Sequence, residues 1–210
     1  MKTYYSLLLL LGLPISIYCQ IPNRIHYPSV RTAYIQKEDR LIYPNPVLPL
    51  GAENTATLHF DDLGLTYPSY SFRIIHCQAD WSPSNLSDIE YLQDFNDVPV
   101  RDSQASMGTK IPYRHYQATL PRVKLSGNYV VMLYNRTKRD TLFTQRYCVY
   151  SNELTIASQI RFGKSNALRA THQNLELRLK YPSQLMLNAA EDLKIYVKQN
   201  EILQNQLPKL

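Results

Sequence analysis

His76, Cys77 and Asp80 are the residues whose types and spacing could do chemistry most directly. They put three metal-ligand side chains within five positions, with the only tryptophan, Trp81, next in line. Such a set could hold a divalent cation. Strand alternation argues against it: Tyr70, Phe72, Ile74 and His76 fall on one face and Ser71, Arg73, Ile75 and Cys77 on the other, so His76 and Cys77 cannot readily share an ion. The carboxylate pairs Asp61 with Asp62 and Asp94 with Asp97 could act as general acid and base if burial separated their proton affinities, but their surroundings read as solvated loops. There is no GxSxG elbow, HExxH, CxxC or phosphate-cradling glycine loop. The residues point to no enzyme, no cofactor, no metal site and no small-molecule substrate.

Short strands must position these side chains. Seventeen tyrosines against six glycines, with valine, isoleucine and threonine spread through short runs, favour β-structure. Strands are predicted over residues 32–36, 55–60, 70–77, 113–120, 128–135 and 142–150. The stretch YPNPVLPLG, with Pro44, Pro46 and Pro49, suits a sheet edge or a linker, because proline cannot donate to a central ladder. Residues 86–92 predict a short helix with Ser84 or Asn85 as its cap and acids in its first turn. The spacing describes an immunoglobulin-like antiparallel β-sandwich over residues 20–152. In LSGNYVV, a glycine two positions before Tyr129 would let that hydroxyl bond back across the corner, as in the tyrosine corner of such sandwiches; the alternative is a solvent-facing tyrosine at an ordinary strand start. Runs at 154–161, 174–181 and 193–199 begin a second β-rich domain over 153–210, which three strands do not complete and which reads as truncated.

Residues 1–19 carry Lys2 as their single charge and an apolar run from 7 to 17, broken by Gly12 and Pro14 and short of the roughly 20 residues that span a bilayer. The pattern is a signal peptide with cleavage between Cys19 and Gln20. The rival reading, Cys19 as a lipidation site, is disfavoured by the bulky Tyr18 before it. Removing Lys2 lowers the formal charge of +6 by one. That modest basicity comes without an RNP, finger or helix-turn-helix pattern, so nucleic acid is not the expected partner. Cys77 and Cys148 could form one bridge, but both sit in strand runs and read as reduced core residues.

The charge is segregated. Residues 76–102 hold six acids and one base, whereas 103–139 hold seven bases and no acid. The runs either steer a partner or neutralise each other across the fold. Within the acidic run, Asp80-Trp81-Ser82-Pro83 ends a strand at a proline-fixed turn, where the tryptophan either plugs the sandwich end or is offered to a partner. Tyr91 and Phe95, four apart, could join Trp81 in an aromatic cluster.

The stretch FRIIHCQADWSPSNLSDIEYLQDFNDVPVRDSQAS resembles the strand-and-loop signature of the type IX secretion system plug protein family, and LSGNYVVMLY, TLFTQRYCVY, THQNLELRLKY and LKIYVKQN resemble it in the same order. The resemblance implies a periplasmic protein, peripheral rather than integral to the outer membrane. Its partner would be the β-barrel translocon, whose periplasmic opening it closes. Docking would use the loop over 78–102, with Asp80, Trp81, Asp88, Glu90, Tyr91 and Phe95, or the basic face around Lys110, Arg114, Arg122 and Lys124. The alternative is a carbohydrate-binding or adhesion sandwich that stacks sugars on exposed aromatics. Asp140-Thr141-Leu142 looks like an O-glycosylation acceptor on a turn. The sequons at Asn85 and Asn135 would matter only in a eukaryotic secretory route.

Overall fold

Burial alternates residue by residue along Ala56-Thr-Leu-His-Phe-Asp-Asp62, and that single pattern fixes one wall of the core. The computed structural model describes residues 20–37, 40–42, 46–51, 56–64, 66, 68–163, 169, 172–182, 193, 195, 197–199 and 202–204. The expected signal peptide, including Cys19, lies outside them.

In chain order the elements are β1 (Arg24–Ile25), β2 (Val30–Lys37), β3 (Arg40–Ile42), β4 (Val47–Pro49), β5 (Ala56–Asp62), β6 (Tyr70–Cys77), α1 (Asp88–Tyr91) and β7 (Val98–Pro99). They continue with β8 (Asp102–Ala105), β9 (Arg114–Thr119), β10 (Gly127–Asn135), β11 (Thr141–Tyr150), β12 (Thr155–Phe162), β13 (Gln173–Lys180), β14 (Val197–Gln199) and β15 (Ile202–Gln204). The chain divides into two units between Tyr150 and Ser151.

In the first unit one sheet runs β1-β11-β10-β6-β7 and the other β3-β2-β5-β9-β8. The proline-rich stretch supplies β4, which pairs in parallel with the end of β11 at the sheet edge, where a missing N–H costs nothing. The two sheets face each other across aromatic rings. Phe60 of β5 stacks on Tyr116 of β9 at 4.9 Å and meets Tyr70 of β6 and Phe143 of β11 edge-on. Leu58, Phe72, Ile74, Tyr129 and Leu133 are fully buried around them, each such side chain stabilising by about 1.5–3 kcal/mol. The unit is an immunoglobulin-like β-sandwich, and Tyr129 closes its corner by donating to Leu125 O at 2.7 Å.

Three local expectations change. Asp61 and Asp62 are not loop acids, because β5 extends through both and its alternation turns Asp62 inward. At 3 % exposure, Asp62 accepts the Tyr70 hydroxyl at 2.6 Å and the Gly64 N–H at 2.9 Å. The helix is a single turn capped at Ser87, not Ser84 or Asn85, because the Glu90 carboxylate reaches back to accept both the N–H and the hydroxyl of Ser87 at 2.7 Å. Thr141 is the first residue of β11 rather than part of a turn.

In the second unit β12 and β13 form an antiparallel hairpin from Thr155↔Lys180 to Phe162↔Gln173, and β14 pairs with β15. Of the run predicted at 193–199, the described residues are strand only over Val197–Gln199.

Candidate functional site

The loop over residues 78–102 is built to cover one edge of the first sheet. β7 pairs with β6 only at Ser71 and Phe72, and Val100 N–H reaches Tyr70 O at 3.0 Å. Where β7 runs out, the Asn96 side chain takes the place of a strand: its Oδ1 accepts Ile74 N–H at 2.7 Å and its Nδ2 donates to Ile74 O at 2.8 Å. Further along, Ser84 N–H donates to His76 O at 2.9 Å, and Pro83 bridges Cys77. The groups that an open edge would offer to another chain are thereby occupied.

Tyr91 fastens the middle of the loop. Its ring is buried near His76 and Tyr129, and its hydroxyl donates to Asp88 Oδ1 at 2.5 Å while lying 3.0 Å from Ile74 O. Burial and the Asp88 carboxylate push the phenol well above its ordinary pKa. His76, on the core-facing side, packs edge-on to Tyr129 with Nδ1 2.8 Å from Ser84 Oγ, and burial holds its pKa below the ordinary imidazole value. Cys77 faces the other way, where burial pushes its thiol up to about 11. Among the described residues no three His, Cys, Asp or Glu side chains are grouped to hold a metal ion.

The expected cluster of Trp81, Tyr91 and Phe95 does not form, because the loop sends the three rings to different places. Tyr91 enters the core, whereas Phe95 is 93 % exposed. Trp81 occupies a left-handed turn with φ of 68° and lies under the Arg146 guanidinium, 4.6 Å from the ring centre. Its carbonyl accepts Ile21 N–H at 3.0 Å, and Arg146 Nε donates to Ile21 O at 2.8 Å, so the tryptophan holds the N-terminal strap rather than the sandwich end. Asp80 closes the same turn by accepting Ser82 N–H and Oγ–H.

The four predicted bases do not form one face. Arg114 is the first residue of β9, with its Nη1 donating to Ser103 Oγ at 3.0 Å, and Lys110 precedes it by four residues. Arg122 and Lys124 follow the end of β9, a strand length of about 20 Å away at ~3.3 Å per residue. Those two instead join the acidic loop. Gln93 N–H donates to Arg122 O, Lys124 N–H to Tyr91 O, and Lys124 Nζ to Ile89 O. The exposed Glu90 carboxyl is held below its ordinary pKa by the Ser87 hydroxyl and N–H. The resulting end of the sandwich carries acids, bases and the apolar Ile89, which is 78 % exposed.

Sequence reasoning passed over His59 and His115, which build a polar array with Asp61 and Tyr34 on the outer face of the second sheet. The signal was present in the alternation of His59, Phe60 and Asp61. Among the described residues, the exposed aromatics of the first unit, Tyr27, Phe95, Tyr113 and Tyr150, stand on four separate segments rather than in a row on one strand.

A family model described as type 9 secretion system plug protein 1st domain matches residues 29–151. The chain belongs to that family. Membership gives this plug-family chain a role related to type IX secretion and agrees with the resemblance carried by its strand-and-loop signature. Among solved structures it is similar to a hypothetical protein from Parabacteroides merdae, with a TM-score of 0.77 and 26% sequence identity over 91% of this chain and 51% of that one. The plug-family chain thus spans about half the length of that relative. No curated protein matches it.

Proposed function

We propose that this chain is a non-enzymatic periplasmic component of type IX secretion that binds the outer-membrane translocon barrel and plugs its periplasmic opening. It is exported by cleavage of residues 1–19 between Cys19 and Gln20 and stays peripheral to the membrane. The observation that carries the reading is the family match over residues 29–151.

The docking surface is the end of the sandwich formed by α1, Phe95 and the bases at 122 and 124. Its apolar side chains, Ile89 and Phe95, project from a loop that Asn96 and Tyr91 tie to β6. Apolar anchors on a rigid support, rimmed by charge, are where binding energy concentrates in protein interfaces. Tyr91 and Asp88 hold the loop, and Trp81 and Asp80 hold its entry turn.

Capture of the translocon barrel by the full chain tests the reading. An Ile89→Ser, Phe95→Ser double variant, both positions being solvent-facing, should keep its thermal midpoint and lose about tenfold or more in affinity, or ~1.4 kcal/mol. Undiminished capture by the folded variant removes the loop from the interface; no capture by the wild-type chain removes the plug reading itself.

A further inference from the structure

A groove of about 500 Å³ opens on the outer face of the first sheet. Arg73 of β6, Met132 and Tyr134 of β10, Arg136 and Arg139 of the following turn, and Asp97 line it. We propose that this groove binds an acidic peptide segment through its carboxylates, a role separate from barrel docking and not dependent on it.

The sheet register sets the groove. Arg73 lies opposite Met132 across β6 and β10, and Tyr134 follows two residues on along the same face. The turn after β10 is pinned at every step. Asn135 N–H donates to Asp140 O at 3.0 Å, Arg139 N–H to Asn135 O at 2.7 Å and Arg136 N–H to Ser69 O at 3.0 Å. Asn135 Oδ1 accepts the N–H groups of Thr137 and Lys138, and Arg139 sits in the left-handed region at φ of 59°. Guanidiniums carried on so fixed a frame lose little backbone freedom when a ligand binds.

The occupant's chemistry follows from what the groove already holds. Asp97 accepts the Tyr134 hydroxyl at 2.6 Å and lies 3.8 Å from Arg136, so hydroxyl and guanidinium donors here are already arranged around a carboxylate. The Tyr134 hydroxyl, more than Arg136, keeps that carboxyl below its ordinary pKa. The groove is lined by three arginines and, as its one acid, Asp97. Arg73 donates to Met132 Sδ at 3.5 Å, a weak acceptor that a carboxylate would displace. Guanidinium forks match carboxylates in a bidentate way, and the Met132 and Tyr134 side chains give an extended peptide an apolar floor. A peptide with two or more acids fits this arrangement better than a free anion, which would leave that floor unused.

The test is calorimetric titration of the full chain with a blocked Glu-Ala-Glu-Ala-Glu peptide, against the same peptide with glutamine for glutamate. The glutamate peptide should bind at least about tenfold more tightly and weaken as salt rises from about 0.05 to 0.3 M. An Arg73→Gln, Arg139→Gln variant should lose that advantage with an unchanged melting temperature, and Arg73→Lys, which keeps the charge but not the fork, should lose part of it. Equal binding of the two peptides overturns the proposal, as does full binding by the double variant. Inorganic phosphate competing as well as the peptide, or phosphatidylglycerol vesicles held more tightly through the same arginines, would overturn the assignment to a carboxylate peptide.

Discussion

Asp61 and His115 oppose each other across β5 and β9, with Oδ1 2.7 Å from Nδ1, and the far nitrogen of His115 lies 3.1 Å from Nδ1 of His59. Tyr34 stacks on His59 at 4.9 Å. Burial, then the neighbouring His115, hold the His59 pKa below the ordinary imidazole value despite the pull of Asp61. His76 is lowered by burial as well.

The sign of the resulting pH dependence is fixed. A histidine whose pKa is lower when folded takes its proton in the unfolded chain first, so stability is complete above about pH 6.5 and declines as pH falls below it. Urea midpoints should drop between pH 7.5 and 5.5 as both histidines take up protons in the unfolded chain first. His59→Gln should flatten part of the decline, and a pH-independent midpoint would remove both histidines from the argument.

Asn96→Ala should destabilise by about 1–3 kcal/mol, the range for losing two backbone-directed hydrogen bonds. The Ile74 amide should then exchange hydrogen faster than its neighbours in β6. Asn96→Asp, which can still accept from Ile74 N–H but cannot donate to Ile74 O, should not restore it.

Gly127 has φ of 152°, and a Cβ there would lie 2.6 Å from His76 Nε2, on a ring confined by Tyr91, Tyr129 and Ser84. Gly127→Ala should cost about 1–3 kcal/mol in strain and contact. Adding His76→Ala should recover the contact part, giving a measurable coupling in a double-mutant cycle. Tyr129→Phe, which only removes the bond to Leu125 O, should cost about 1–2 kcal/mol.

Cys77 and Cys148 are both register partners of Asn128, on the strands flanking β10. Two strand spacings, about 10 Å, exceed disulfide reach, and neither cysteine is in a disulfide. Thiol titration should count both only after denaturation, because the buried Cys77 thiol, pushed up to about 11, is unreactive in the folded chain.

What was legible in the sequence depended on range. The two faces of Tyr70–Cys77, the proline-marked edge and the Tyr129 corner are set by period-two alternation and local backbone, and each is present. Asn96 was not legible, because its partner Ile74 is chosen by the path of a loop rather than by spacing. His59 and Asp61 shared a visible face, but His115 joins them only through the β5–β9 register, 56 residues from His59. Strands β1 and β7, two residues each, are too short to show a period.

The strap ahead of β1 has a practical consequence. Ile21 is held from both sides by Trp81 and Arg146, and Pro22 O accepts the Thr144 hydroxyl at 2.6 Å. Anything fused in front of Gln20 is therefore attached one residue from the contacts with Trp81 and Arg146. An affinity handle placed there would start next to the turn at Asp80–Ser82, within the loop over residues 78–102.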